Sequence, residues 1–190
     1  MIANNVQVQR RLISVVEYDQ MVQARVFPED DRLELIEGEI VEMSPIGAAH
    51  AGLVTWLTRL FTERFRETAL VYAQNPIRLP RSEPQPDVAL LRPRPDYYTE
   101  RLPEARDVLL LVEIADTTLA YDRAIKLPLC ARSGIQECWL IDLAQQTIDV
   151  CRVPAAGNYG EIRTAKVGDN LAPLAFPATS FSIAEILRVM

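Results

Sequence analysis

Between Asp107 and Asp142 the chain reads D-V-L-L-L-V-E-I-A-D-T-T-L-A-Y-D-R-A-I-K-L-P-L-C-A-R-S-G-I-Q-E-C-W-L-I-D, and this stretch narrows the folds open to it. Val108 to Ile114 is a near-continuous apolar run, the pattern of a strand buried on both faces. A helical segment closing at Gly134 follows, and Cys138 to Ile141 is a second apolar strand. Strand, crossover helix and strand make a βαβ unit, so a parallel or mixed sheet is expected at the centre. Inside the first strand stands Glu113, whose apolar neighbours give no ordinary reason for a charge. A buried carboxylate is costly unless it is paired or bound to a cation. Function is expected to enter here.

The remaining elements read in order. Residues 1–12 are expected as a flexible tail on a single domain spanning 1–190. Ser14-Val15-Val16-Glu17 is a capping box that opens a short helix to about Arg25. Pro28 and the acidic Glu29-Asp30-Asp31 form a loop. Leu33 to Met43 predicts a β-hairpin turning at Glu37-Gly38, with Glu34 on the same strand face as Ile36. A long helix is expected from about Ala49 to Arg66, because Leu53, Trp56, Leu57, Leu60, Phe61 and Phe65 recur at helical spacing. Leu70 to Leu79 reads as a strand interrupted at Asn75-Pro76, which implies an edge or a bulge.

Pro86-Asp87 leads straight into the apolar strand Val88 to Leu91, and the proline-rich stretch from Arg92 to Arg101 is a surface loop. Pro128 falls inside the helical pattern from Asp122 to Arg132, so a kink or a helix beginning near Leu127 is expected. Gln146 to Val153 and Tyr159 to Ala165 predict a C-terminal hairpin around Pro154 and Gly157. A second capping box, Ser182 to Glu185, opens a closing helix.

Composition sets bounds. No apolar run approaches the roughly 20 residues that cross a bilayer. The first residues lack the basic-then-apolar pattern of a secretory signal, which makes the cytoplasm the expected location. Cys130, Cys138 and Cys151 show no metal-ligand spacing and lie in apolar segments, as buried free thiols do. One histidine, His50, excludes mechanisms that need two imidazoles. A net charge of −6 argues against strong non-specific DNA binding, though not against a local basic groove.

Three groups can do chemistry together: Asp87 at the mouth of one strand, Glu113 in the next, and Lys126 on the helix after it. Two carboxylates from neighbouring strands can converge on magnesium or manganese, which prefer oxygen ligands and keep water and phosphate in their shell. A lysine beside them can stabilise charge building on a phosphate. Simpler readings stand beside these. Asp87 can cap a turn after Pro86, Glu113 can sit in a structural salt bridge, and Asp122 with Lys126 can form a helix-face ion pair. His50 can be a core-edge histidine and Glu34 an exposed hairpin residue. The arginines and tyrosines from Arg92 to Arg101 can stack on nucleic acid or belong to an ordinary solvated loop.

P-D-V-A-L-L, residues 86–91, and the long motif from Leu111 to Asp142 resemble the Uma-two family of proposed restriction endonucleases. The hairpin E-L-I-E-G-E-I-V-E-M-S-P followed by His50 matches that family's N-terminal part. The resemblance covers roughly Arg32 to Arg152. It implies the PD-(D/E)XK fold, a restriction-endonuclease-like α/β core with a mixed central sheet flanked by helices and with hairpins at both ends. It implies magnesium or manganese held by Asp87 and Glu113. The superfamily lysine falls two residues after the glutamate, where this chain has Ala115, and Lys126 is the available substitute. Glu34, His50 and Asp122 are second-rank candidates for the same cleft.

The leading expectation is therefore a magnesium-dependent endonuclease acting on DNA, with a homodimer as a plausible assembly. The alternative is a catalytically idle module that keeps the nuclease fold for binding or scaffolding. A third reading is a hydrolase of RNA or of a small phosphate ester.

Overall fold

The computed structural model describes residues 10–28, 30–155 and 157–188. Nine residues of the expected tail lie outside that range, as do Glu29 of the acidic loop and Ala156 of the C-terminal turn. Helix α1, Val15–Gln23, is opened by Ser14: its hydroxyl accepts from the Glu17 N–H while the Glu17 side chain accepts from the Ser14 N–H. Strands β1 (Leu33–Ile36) and β2 (Glu39–Glu42) form the N-terminal hairpin. Glu37 and Gly38 form its two-residue turn, with φ of 50° and 84°, as the right-handed twist of a tight hairpin requires. A side chain at Gly38 would have its Cβ 2.9 Å from that of Leu12. Helix α2, Ala48–Phe65, follows.

Six strands make the main sheet: β3 (Leu70–Ala73), β4 (Val88–Leu91), β5 (Val108–Ala115), β6 (Glu137–Asp142), β7 (Thr147–Ala155) and β8 (Asn158–Lys166), side by side in chain order. Only β5 and β6 run parallel, joined by the expected crossover, and every other pair is antiparallel. The sheet is thus mixed. A two-residue pair, β9 (Asn170–Leu171) with β10 (Phe181–Ser182), precedes the closing helix. The expected strand over Leu70 to Leu79 is shorter than its pattern and lies at the sheet edge. It stops at Gln74, whose φ of 50° turns the chain away.

The crossover meets the second of the two expectations for Pro128, with the α-helix proper beginning at Leu127, although helical structure already runs ahead of it. Helix α3 (Leu119–Tyr121), a π-helical turn (Asp122–Lys126) and α4 (Leu127–Arg132) run on without a break. Pro128 falls at the start of α4, and the wide turn ahead of it replaces the regular turn in which the ring would clash with the carbonyl four residues back. The C-terminal hairpin is also longer than expected. Pro154 pairs with Tyr159 inside it instead of forming the turn. The closing helix, α5, is only Ile183–Ile186.

Strand periodicity sorts the core into two layers. On one face Val88, Leu90, Leu110, Val112 and Ile114 pack with α2 and α5 through Leu57, Phe61, Phe65 and Ile183. On the other, Ala89, Leu91, Leu111 and Ala115 pack with α4 and the N-terminal hairpin through Leu127, Cys130 and Ile36. All three cysteines are buried and free. Among the described residues no helix is long and apolar enough to cross a membrane.

Phe61 is the hub of the first layer. It is fully buried, with ring centroids of Phe65 and Phe181 at 5.7 Å and Trp139 at 6.3 Å. Phe61→Ala should cost about 3–5 kcal/mol through lost burial and the cavity left behind. Urea unfolding should show this as a lower midpoint with an unchanged slope.

Candidate active site

Strand register brings the two predicted acids together. Val88 pairs with Val112 in the antiparallel β4–β5 ladder, so continuing that register by one residue sets Asp87 opposite Glu113. Both share the parity of Ala89 and Leu111 and face the layer covered by α4. Asp87 is fixed from two sides. The Ile114 N–H donates to its Oδ2 at 2.8 Å, and His50 Nε2 lies 3.1 Å from the same oxygen. The reading of Asp87 as a mere turn cap after Pro86 does not describe these contacts.

Lys126 extends from the π-helical turn into the same space. Its Nζ is 3.2 Å from Glu34 Oε1 and 3.3 Å from Glu113 Oε1. The helix-face ion pair with Asp122 is not what forms. Asp122 accepts from the Thr118 hydroxyl at 2.6 Å instead. Glu34, which its hairpin position allowed to be exposed, is buried and accepts from the Gln85 N–H at 2.7 Å. All six residues singled out in the sequence are buried, from 2% exposed at Glu34 to 9% at His50 and Asp87. They line one pocket of about 320 Å³.

The loop from Arg92 to Arg101 does not join them. Arg94 pairs with Asp96 and Arg101 with Asp107, and both guanidinium groups lie over the ring of Tyr98, itself buried. The Arg94 and Arg101 charges are thus engaged by Asp96 and Asp107, and of the loop's two tyrosines only Tyr97 stands exposed.

Electrostatics in the pocket are one-sided. Glu34, Glu42, Asp87, Glu113, Asp116 and Asp122 line it, against two permanent cations, Arg32 and Lys126. Burial pushes the Glu113 carboxyl well above its usual range; Lys126 opposes this, but Asp87, Asp122 and Glu34 reinforce it. Burial alone would lower the Lys126 pKa. Glu113 first, then Glu34, Asp122 and Asp87, outweigh it and hold the ammonium well above its usual range. The two directions agree on one cause: a single ammonium stands in a net negative field. Burial likewise raises Asp122, with Thr118 and Lys126 opposing. For His50 burial opposes the charged ring, yet the hydrogen bond and charge of Asp87 prevail and raise its pKa.

Tyr121 also lines the pocket, and no reading of the sequence singled it out. Its only signal is adjacency to Asp122, one turn ahead of Lys126.

A mixed sheet flanked by helices, with an acidic pocket where β4 begins and β5 ends, defines a restriction-endonuclease-like α/β protein. The structure superposes on a crystal structure from Anabaena variabilis described as "a putative nuclease belonging to DUF820", with a TM-score of 0.74 and 18% identity over 93% of this chain and 98% of that one. The Uma2 family model, described as "Putative restriction endonuclease", matches residues 15–184, and the chain belongs to that family. No curated protein matches it in sequence.

Two variants probe the charge balance. Lys126→Met leaves buried carboxylates without their partner and should cost about 3–5 kcal/mol, read from denaturant midpoints at neutral pH. Glu113 holds its proton more tightly folded than unfolded. Its stabilising contribution is therefore complete below its ordinary value of 4.5 and lost as pH rises through the elevated folded value. Glu113→Gln keeps the shape of the neutral acid, so it should match the parent near pH ~4 and exceed it in stability at pH ~8. A Gln variant weaker than the parent at the higher pH would mean that the ion pair with Lys126 outweighs burial.

Proposed function

We propose that this chain is a divalent-cation-dependent endonuclease that hydrolyses DNA phosphodiester bonds by direct attack of water. The observation that supports it most is the excess of buried carboxylates in a pocket at the end of two adjoining strands. A nucleic acid phosphate is repelled by such a pocket unless a cation joins it. Among the described residues no three acidic, histidine or cysteine side chains cluster to hold an ion by themselves. Magnesium and manganese take one or two carboxylates and fill the rest of the shell with water and phosphate oxygens. Asp87 and Glu113 would hold the ion. When bound, such an ion polarises the phosphate and makes a bound water more acidic.

The chain's own groups then have distinct tasks. His50 and the Ile114 N–H orient the Asp87 carboxylate, as outer partners of a ligand do. Lys126 opposes the protonation that burial favours at Glu113 and offers positive charge toward the phosphate, and Glu34 keeps the ammonium on station. The start of α2, with Gly47 and His50 on the pocket wall, turns its positive end toward the same space. Ala115 replaces the usual lysine. The 3.3 Å approach of Lys126 to Glu113 is consistent with an ammonium supplied from the crossover instead.

A second reading draws on that same contact. An ammonium within 3.3 Å of two carboxylates can be wholly spent on structure, which would leave a nuclease fold that binds without turnover.

Nicking of supercoiled plasmid with magnesium or manganese is the direct test. Asp87→Asn and Glu113→Gln should each slow it on the order of 10²–10³-fold, and His50→Ala about 10–100-fold. Plasmid should be preferred over single-stranded RNA and model phosphoesters. Manganese should raise the melting temperature, and Asp87→Asn should abolish the rise. Nicking that persists unchanged in both acid variants would defeat the assignment. Absence of any thermal shift at millimolar metal would favour the idle module.

A further inference from the structure

We propose that the Tyr121 hydroxyl is a substrate-contacting group that donates a hydrogen bond to a non-bridging oxygen of the phosphodiester held in the pocket. This rests on the nuclease reading and adds to it the group that receives the phosphate. Among the described residues, two buried side-chain polar atoms have no hydrogen-bond partner: Tyr121 Oη and His50 Nδ1. Both belong to residues that line this one pocket. Buried polar groups are nearly always satisfied, so two exceptions in one place ask for a missing partner there.

Four of the pocket carboxylates each have one oxygen engaged elsewhere. Glu34 and Glu113 face Lys126, Asp122 faces the Thr118 hydroxyl, and Asp87 takes the Ile114 N–H and His50. Burial and then the charge of Glu34 raise the Tyr121 pKa, with Lys126 opposing, so the phenol keeps its proton and has a donor to offer. A neutral donor has a particular value here. Cationic side chains are drawn to the surrounding carboxylates, whereas a phenol carries no charge for them to capture. Ordered water can occupy that position until substrate displaces it.

Tyr121→Phe removes this hydroxyl and nothing else. On the cleaved duplex it should lower kcat/KM about 10- to 100-fold, the range for a hydrogen bond to a charged acceptor. The melting temperature should stay level or rise, because an unsatisfied buried donor is lost. Substrates with a phosphorothioate at the cleaved position add a readout that a structural role would not move. For one of the two sulfur diastereomers the difference between parent and Phe variant should shrink toward unity, since sulfur accepts hydrogen bonds poorly. Equal rates for parent and variant on the oxygen substrate would overturn the proposal, as would a lowered melting temperature with unchanged rates. Should the parent not cut at all, the nuclease reading fails, and Tyr121 is judged on binding alone. In that arm the anisotropy of a labelled short duplex with calcium present should give a Kd about tenfold weaker for Tyr121→Phe. Equal affinities, or no binding by either protein, would overturn it.

Discussion

One ammonium between two buried carboxylates is the constraint around which this molecule is arranged. Glu34 comes from the N-terminal hairpin, Glu113 from the central strand β5 and Lys126 from the crossover, and the three meet within 3.3 Å. Carboxylates cannot be taken out of water at this density without a cation. Folding therefore has to deliver all three elements to the same place. The hairpin, otherwise joined to the sheet layer by Ile36 and Val41, is tied to the pocket by an ion pair as well as by apolar contact.

That balance is incomplete, and the incompleteness is informative. Lys126 is held charged by more negative groups than it can neutralise, while Glu113 is pushed toward its protonated form. Proteins tolerate such local destabilisation where a ligand relieves it. The apolar layers on either side, anchored by Phe61 and Trp139 above and by Leu127 and Cys130 below, supply the stability that makes the tolerance affordable.

Much of this was readable in the residues. The apolar runs of β5 and β6 announced a parallel pair, and the charge at Glu113 stood out because burial and ionisation conflict there. Asp87 was visible through the proline that opens its strand. Period-two alternation placed Glu34 with Ile36, yet a four-residue hairpin strand can turn either face to solvent, so its burial depended on what packs over it. Tyr121 carried no anomaly, since a tyrosine ahead of a helical Asp is ordinary, and its interest arises only from an acceptor it lacks. The short closing helix and the early end of β3 followed from tertiary packing and a positive φ at Gln74, neither of which a local pattern records. Arg94 and Arg101 looked available for nucleic acid because their partners, Asp96 and Asp107, are joined to them by loop geometry and not by spacing.

The wide turn from Asp122 to Lys126 has a consequence for phase. Each residue of a regular helix advances the azimuth by about 100°, so a turn containing one additional residue offsets everything before it from everything after. Downstream, Leu127 and Cys130 keep step with the apolar layer, while upstream Tyr121 is rotated toward the acids. In a helix of uniform pitch Tyr121 and Lys126, five residues apart, would differ by about 140° in azimuth, whereas here both line the pocket. The irregularity works as a built-in gear between the core side and the pocket side of the crossover.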